Sequence, residues 1–336
     1  IPVSDADIAS LPYFRPAENS EEIRYLQGRR QALGGYLPQR SDRAPPLRTP
    51  ALEAFKPLLE SSGEREISTT MAFVRLLGIL LKDKEIGSHV VPIVPDEART
   101  FGMEGLFRQI GIYNPAGQNY TPVDKDQVMY YREDKAGQIL QEGINEAGGM
   151  SSWIAASTSY STNNRIMVPF FAYFAWAAGD MQARGFLLGG TSGRTTLNGE
   201  GLQHEDGHSH ILAGTIPNCI SYDPTFAHEV GVILHHGLKR MVEKQDNVFY
   251  YLTLLNENYP QPGLVAGTEE QILKGMYLLQ EGAKKTPRVN LLGSGTILRE
   301  SIAAKALLEA EWGIAANVWS CPSFNELARD GQDCER

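Results

Sequence analysis

Short apolar runs alternate with segments of helical periodicity through the central part of this chain, and this alternation restricts its fold more than any other feature. Continuous apolar runs of strand length occur at positions 90–94, 166–174, 186–188, 219–222 and 248–255. Runs of this kind are typical of strands that are buried on both faces. Segments with apolar residues three or four positions apart separate them. The sequence therefore predicts an α/β fold, with a parallel sheet covered by helices on both faces.

The 336 residues are enough for two domains. Residues 1–60 are rich in proline and charge and predict a linker with short helices, residues 61–260 form the α/β domain, and residues 261–336 form a linker and the beginning of a second α/β domain. Because the chain starts without methionine and stops shortly after a predicted strand, we expect it to be an excerpt of a longer polypeptide or a processed product. Helices are predicted at 21–32, 51–59, 71–81, 95–111, 143–156, 224–238, 269–279 and 299–312, and further strands at 138–141, 289–292 and 316–321.

Composition and charge exclude several classes of protein. A net charge of −9 argues against binding a nucleic-acid backbone. No apolar run is long enough for a membrane helix, and no secretory signal is visible. The three cysteines, Cys219, Cys321 and Cys334, are far apart and show no metal or redox spacing. These features predict a cytoplasmic protein without a membrane partner.

The densest group of titratable residues lies between positions 199 and 210. This stretch reads G-E-G-L-Q-H-E-D-G-H-S-H and holds three histidines and three carboxylates: His204, His208, His210, Glu200, Glu205 and Asp206. The alternatives are a functional loop that tunes proton transfer and a polar surface loop, and the apolar segments on both sides favour the first. The interleaved glycines disfavour a helix, so the histidine spacing does not favour a zinc site. The remaining histidines, His89, His228, His235 and His236, are expected at the surface or its boundary.

Two further acidic motifs follow predicted strands. Glu142 and Glu146 lie where a strand ends and a helix begins, and Asp96 and Glu97 follow the run 90–94. Ligands of parallel α/β sheets bind at the carboxyl ends of strands. The alternative for both motifs is an ordinary acidic helix start, where carboxylates suit the helix dipole. At 223–225, Asp-Pro-Thr predicts another helix start, with Asp223 as its cap.

Several long strings together resemble one family, the homodimeric bacterial type of the pyruvate dehydrogenase first component, which uses thiamine diphosphate and is similar to transketolase. They are D-E-A-R-T-F-G-M-E-G-L-F-R-Q-I-G-I-Y from Asp96, Q-I-L-Q-E-G-I-N-E from Gln138, S-Y-S-T-N-N from Ser159, the stretch from Gly189 to His210, and A-R-D-G-Q-D-C-E-R from Ala328. The resemblance covers nearly the whole chain. It implies that residues 61–260 are the family's pyrimidine-binding domain.

The resemblance also implies roles for individual residues. Glu146 matches the carboxyl group that activates the pyrimidine ring of the cofactor, and His204 and Glu200 match active-site residues that handle protons. The implied cofactor contacts are Glu146, Glu97, Phe174 and Tyr173, and the implied substrate-channel residues are Asp96, His208 and His210. The implied reaction is decarboxylation of pyruvate followed by reductive acetylation of a lipoyl group, carried by the dihydrolipoyl acetyltransferase of the complex. The implied assembly is a homodimer.

The chain departs from the family in two places. An extra stretch that follows Phe174 in the family is missing, and the glycine–aspartate–glycine motif for the diphosphate is absent. The ligands of Mg²⁺ and diphosphate are therefore expected in a domain outside this sequence, and no metal ligand is assigned within it. Isolated residues 1–336 are expected to be inactive. Two alternatives remain: a related transketolase-like decarboxylase for another 2-oxo acid, and a non-catalytic dimerisation or docking module.

Overall fold

The computed structural model describes residues 4–7, 10, 15–35, 41–95, 98, 102–123, 131–171, 181–190, 207–284 and 287–336. The chain divides into two compact units, residues 1–44 with 160–165 and residues 45–159 with 166–336. The smaller unit contains helix α1 (Glu21–Ala32), which has the predicted bounds. Ser20 begins it as the N-cap, because its hydroxyl accepts a hydrogen bond from the backbone N–H of Ile23 at 3.4 Å.

The larger unit holds the two main sheets. Its helices are α2 (Lys56–Leu59), α3 (Thr69–Leu80), α4 (Glu104–Ile110), α5 (Glu146–Ser157), α7 (Ser209–Gly214), α8 (Ala227–Leu238), α9 (Glu269–Lys274), α10 (Ile297–Glu311) and α11 (Phe324–Glu335), and the short α6 (Ser159–Thr162) runs into the smaller unit. Its strands are β1 (Glu66–Ile67), β2 (Val90–Val94), β3 (Ile112–Tyr113), β4 (Glu133–Asp134), β5 (Leu140–Gln141), β6 (Val168–Phe171), β7 (Phe186–Gly189), β8 (Cys219–Tyr222), β9 (Phe249–Thr253), β10 (Tyr259–Pro260), β11 (Tyr277–Gln280), β12 (Arg288–Gly293) and β13 (Ala315–Ser320).

Six parallel strands form the central sheet in the order β5-β2-β6-β7-β9-β8. This confirms the predicted parallel α/β sheet. The register brings the carboxyl ends of neighbouring strands to one edge, since Val94 pairs with Gln141 and Gly189 pairs with Thr253. Two short pairs lie outside this sheet, β1 with β10 (antiparallel) and β3 with β4 (parallel).

Successive side chains of each strand point to opposite faces of the central sheet, and different helices pack against the two faces. On one face, Trp153 of α5 is fully buried, and its indole N–H donates to the carbonyl of Phe186 at 3.1 Å. On the other face, the rings of Phe170 and Phe186 stack with centroids 4.8 Å apart, and Phe73 of α3 packs against Phe170. Gly237 of α8 lies so close to Phe186 that an added Cβ would meet its ring at 2.7 Å. Helices therefore cover both faces, as the sequence predicted.

A second, three-stranded sheet has the order β11-β13-β12, with β12 parallel and β11 antiparallel to β13. The predicted helix over 269–279 is wrong at its carboxyl end. Helix α9 ends at Lys274 because Gly275 adopts a left-handed conformation (φ 101°), and the chain continues into strand β11. Helix α11 lies against β8 at the outer edge of the central sheet. Its cap residue Ser323 donates a hydrogen bond to the carbonyl of Ser221 at 2.6 Å, and Arg329 donates to that of Cys219 at 2.8 Å.

The starts of α4 and α8 are among the predicted helix starts that differ from the structure. The helix predicted over 95–111 begins at Glu104, and Gly102 and Met103 before it are not helical. Asp223 does not cap α8, whose first residue is Ala227. The backbone N–H groups of Thr225 and Phe226 donate instead to Oε2 of Glu229, at 2.6 and 3.0 Å. The carboxylate of Asp223 has other partners at the edge of the sheet.

A buried polar cluster joins α8 to the second sheet. Oε1 of Glu229 accepts hydrogen bonds from Tyr277 Oη at 2.8 Å and from Ser320 Oγ at 2.6 Å. Tyr277 Oη also lies 2.8 Å from Nε2 of His228. The expectation that His228 lies at the surface is wrong, because its side chain is fully buried, and burial lowers its pKa. His235 and His236 are half-buried on the same helix, as expected for boundary residues.

Candidate functional site

The carboxyl edge of the central sheet gathers polar side chains that are far apart in the sequence. Glu142 follows β5, and its backbone N–H donates to the carbonyl of Val94 at 2.9 Å, so the ends of β5 and β2 lie side by side. Asp223 directly follows β8, and Thr253 is the last residue of β9. Ligands of open parallel sheets bind at this edge, so these positions define the candidate site.

Glu146 is the first residue of α5, and its side chain is half-buried. Asn145 caps the helix, because its Oδ1 accepts from the N–H of Gly148 at 3.0 Å. The helix dipole favours a negative charge at this position. Glu142 does not share the helix with Glu146, since it precedes the cap and accepts a hydrogen bond from Ser152 Oγ at 2.5 Å. The repulsion expected between two carboxylates on one helix is thereby avoided.

Close packing fixes the position of the first turn of α5 against the sheet. Gly149 is buried against the ring of Phe171, at the end of β6, and an added Cβ there would meet that ring at 2.6 Å. Only a glycine allows the helix to approach the strand this closely. The carboxyl group of Glu146 is thus carried by a helix start that is held firmly at the sheet edge.

His210 lies on the other side of the edge, in α7. Its Nε2 is 3.2 Å from Thr253 Oγ1, and its ring centroid is 5.3 Å from that of Tyr251. Thr253 Oγ1 in turn donates to Oδ1 of Asp223 at 2.5 Å. His208, at the cap position of α7, is exposed.

The order of the strands sets the spacing of these groups. Glu146 follows β5 at one side of the sheet, and His210 contacts β9, four strands away, which corresponds to about 19 Å at ~4.8 Å per strand. The ends of β6 and β7 lie between them. The predicted site residues of the chain segments that follow β2, β6 and β7 lie outside the described residues: Asp96, Glu97, Tyr173, Phe174, Glu200 and His204.

Sequence reasoning did not identify Thr253 and Asp223 as parts of this edge. Asp223 was interpreted as a helix cap, whereas its carboxylate accepts from Thr253 and from Ser294 Oγ, the latter at 3.0 Å. Thr253 is the polar last residue of an otherwise apolar and aromatic strand, which is a signal that could have indicated it. Asn325 also escaped notice, although its side chain amide donates to the carbonyl of His210 at 2.8 Å.

Cys219 and Cys321 are buried cysteines with weakly acidic thiol groups. Burial raises the pKa of Cys219 to about 12 and that of Cys321 to about 11. Both thiols are therefore protonated at neutral pH, and the reactive thiolate form is scarce. Within the described ranges, no group of three or more histidine, cysteine, aspartate or glutamate side chains could hold a metal ion. No helix in the part of the chain that the structure describes is long and apolar enough to cross a membrane.

The fold defined by these two sheets is that of the transketolases. The transketolase of Campylobacter jejuni superposes with a TM-score of 0.59 at 17% sequence identity, over 82% of this chain and 38% of that one. The transketolase of Leishmania mexicana gives a TM-score of 0.60 at 14% identity, over 82% and 37%. A split-gene transketolase, described as an inactive beta4 tetramer, gives 0.51 at 18% identity, over 79% and 74%. These likenesses establish the fold.

The sequence comparisons establish the family. The family model described as "Pyruvate dehydrogenase E1 component middle domain" matches residues 51–262, and the one described as "Transketolase-like TK C-terminal domain" matches residues 275–336. This chain belongs to the pyruvate dehydrogenase E1 component family. The pyruvate dehydrogenase E1 component of Pseudomonas aeruginosa is 61% identical over 348 residues, and that of Escherichia coli K12 is 60% identical over 351.

All of this chain is matched in both relatives, but it spans only about two fifths of their length, 40% and 39%. The alignments are also longer than the 336 residues of the chain, by 12 positions (348 − 336) and 15 positions (351 − 336). The two relatives therefore carry residues within the matched region that this chain lacks. The resemblance stated from the sequence motifs is confirmed at the level of the family.

Proposed function

We propose that this chain is the pyrimidine-activating part of a thiamine-diphosphate-dependent pyruvate dehydrogenase (acetyl-transferring), with Glu146 as its essential carboxyl group. Family membership supports the reaction, and one structural observation supports the residue. Glu146 is a half-buried carboxyl at a helix start, held at the edge of a parallel sheet where ligands bind. We propose residues 61–260 as the pyrimidine-binding domain, 1–60 as the preceding linker and 261–336 as the linker and first part of the carboxy-terminal domain.

Glu146 fits the pyrimidine ring of the cofactor by its position and its degree of burial. When bound, thiamine diphosphate supplies a carbon nucleophile for the keto group of pyruvate. A carboxyl group in hydrogen-bond reach of a ring nitrogen can hold and return a proton there, and partial burial strengthens this interaction relative to water. The start of α5 positions the group, since Asn145 caps it and Gly149 seats it against Phe171.

The remaining site residues are proposed from the family alone. His204 and Glu200 would handle protons of the substrate or lipoyl group, Glu97, Tyr173 and Phe174 would contact the cofactor, and Asp96, His208 and His210 would line the substrate channel. Mg²⁺ and the diphosphate would be held by a domain of the whole protein outside these 336 residues. The proposed partners are a second copy of the subunit and the lipoyl-bearing dihydrolipoyl acetyltransferase, in the cytoplasm.

The test is Glu146→Gln in the complete enzyme. The substitution keeps the shape of the side chain and removes the carboxyl group that can take up and release a proton, so turnover of pyruvate should fall by about 100-fold or more. Urea unfolding should be unchanged, which shows that the variant folds. Glu269→Gln is the matched control, because Glu269 is also a half-buried glutamate at the first position of a helix, α9. Its turnover should stay at the wild-type level.

Wild-type turnover in the Glu146→Gln enzyme would contradict the proposed role. The substrate is tested separately, by comparing kcat/KM for pyruvate with that for larger 2-oxo acids. A preference for a larger acid would favour the related decarboxylase over pyruvate dehydrogenase. A complete protein without decarboxylation of any 2-oxo acid would favour the non-catalytic module.

A further inference from the structure

A chain of hydrogen bonds connects His210 to a buried carboxylate through a single hydroxyl group. His210 Nε2 lies 3.2 Å from Thr253 Oγ1, and Thr253 Oγ1 lies 2.5 Å from Asp223 Oδ1. Thr253 and Asp223 are both buried, whereas His210 is half-buried. Nε2 of His210 therefore faces the protein interior.

The number of available protons fixes the direction of these bonds. A threonine hydroxyl has one proton to donate. Asp223 Oδ1 is the acceptor, since it lies 2.5 Å from Thr253 Oγ1, whereas the carbonyl of Tyr222 is 3.5 Å away. Thr253 Oγ1 must therefore accept from His210, which requires a proton on Nε2.

We infer that Thr253 and Asp223 are positioning residues that hold His210 with its proton on Nε2, so that the lone pair of the neutral ring is on Nδ1. The hydrogen bond made by one ring nitrogen sets the chemical role of the other. In this state Nδ1 is a proton acceptor whose place is fixed relative to the sheet edge. That acceptor would serve a hydroxyl or thiol group of a substrate, and this catalytic consequence rests on the proposed function.

Residues from the carboxy-terminal third of the chain complete the arrangement. Ser294 Oγ donates to Asp223 Oδ2 at 3.0 Å, and the N–H of Gly295 donates to the backbone carbonyl of Asp223 at 3.1 Å. On the other side, Asn325 Nδ2 donates to the backbone carbonyl of His210 at 2.8 Å. The loop after β12 thus fixes the carboxylate, and the first turn of α11 fixes the backbone that carries the imidazole. Segments next to the second sheet therefore support both ends of the chain of hydrogen bonds.

The experiment is ¹H–¹⁵N correlation spectroscopy of the 336-residue chain labelled with ¹⁵N-histidine. His210→Gln identifies the signals of this residue. In the wild-type protein, we expect a one-bond cross-peak for Nε2–H that persists against solvent exchange, and two-bond couplings that mark Nδ1 as unprotonated. Thr253→Val removes the hydroxyl at nearly constant shape, and the ratio of Nε2–H to Nδ1–H tautomers should fall by about tenfold, the effect of one hydrogen bond. Thr253→Ser restores the hydroxyl and should restore the cross-peak.

A wild-type His210 with its proton on Nδ1 would overturn the inference, and this measurement needs no variant of Thr253 that folds. An unchanged Nε2–H cross-peak in Thr253→Val would overturn it as well. The spectra require neither cofactor nor turnover, so their outcome is independent of the Glu146→Gln test. In the complete enzyme, a loss of kcat in Thr253→Val that Thr253→Ser recovers would connect the tautomer to catalysis.

Discussion

Replacing Tyr277 with phenylalanine tests the polar cluster that joins α8 to the second sheet. The substitution removes one oxygen atom from a fully buried side chain and leaves the ring in place. Two contacts disappear with it, the hydrogen bond to Glu229 Oε1 at 2.8 Å and the contact with His228 Nε2 at 2.8 Å. The carboxylate of Glu229 loses one hydrogen-bond donor and keeps three, the hydroxyl of Ser320 and two backbone N–H groups.

The expected loss of stability follows from the single proton of the hydroxyl group. Nδ1 of His228 donates to the carbonyl of Pro262 at 3.1 Å, so Nε2 of the neutral ring has no proton, and Tyr277 can donate to only one of its two neighbours. A hydrogen bond to a charged group contributes about 1.5 to 3 kcal/mol, so Tyr277→Phe should reduce the free energy of unfolding by about 2 kcal/mol. Tyr222→Phe is the matched control, because Tyr222 is equally buried and its hydroxyl donates to one neutral acceptor, the carbonyl of Leu273, at 2.7 Å. That variant should lose only about 1 kcal/mol.

Urea unfolding followed by far-ultraviolet circular dichroism measures both variants against the wild-type chain. The midpoint should shift about twice as far for Tyr277→Phe as for Tyr222→Phe, with the slope of the transition unchanged. Equal losses in the two variants would refute the reasoning, because they would show that the buried carboxylate makes no stronger bond than a backbone carbonyl does.

Further predictions concern packing and pH. Gly149→Ala should destabilise the chain by about 1 to 2 kcal/mol, because the added Cβ would meet the ring of Phe171 at 2.6 Å. Gly78→Ala in α3 is the control, because an added Cβ there meets nothing within 4 Å. In the same urea assay it should stabilise the chain by about 0.5 to 1 kcal/mol. Burial and neighbouring positive charges lower the pKa of His236 to about 4, below its unfolded value of about 6.5. The unfolded chain therefore binds more protons in this window, and stability that is present above about pH 6.5 is lost as the pH falls toward 4. His236→Gln should flatten this dependence by up to about 1.4 kcal/mol per pH unit in urea titrations at about pH 7, 6 and 5; an unchanged slope would show that His236 titrates normally.

The strands of the central sheet were predictable because their apolar runs are continuous. The predicted bounds of β2 and β8 are those of the structure, and both strands are buried at every position. Helix periodicity was informative for α3 and α8, which each have an apolar face against the sheet. Periodicity does not show, however, whether the face opposite the apolar one is also buried. His228 was misplaced for this reason, since α8 is covered almost all round by the sheet and the carboxy-terminal part of the chain.

The second sheet and the helices next to it were harder to predict from the sequence. The apolar residues of Tyr277–Gln280 are spaced in a way that continues the pattern of α9, so periodicity alone extended the helix. Gly275 after Lys274 was the stop signal, and its left-handed conformation confirms its role. Helix α11 has no buried residue to reveal it. A local signal of it is the capping sequence from Ser323 to Glu326, where the serine hydroxyl accepts from the glutamate N–H at 3.0 Å.

The sequence predicted the candidate site only where the site depends on residues that are close together in the chain. Glu142 and Glu146 were candidates because they lie where a strand ends and a helix begins, and the family resemblance singled out Glu146. The bond between Thr253 and Asp223 spans 30 positions, and the one between Asn325 and His210 spans 115. Contacts of this length depend on how strands are ordered in the sheet, and neither periodicity nor composition contains that order.

The position of α11 beside β8 also bears on solubility. β8 is the last strand of the central sheet, and its outward carbonyls, those of Cys219 and Ser221, accept from Arg329 and Ser323. Bare strand edges recruit strands from other molecules, and a covering helix prevents this. Removing residues 322–336 would uncover an apolar edge, so such a shortened chain should form β-rich aggregates while the sheet behind that edge is still intact.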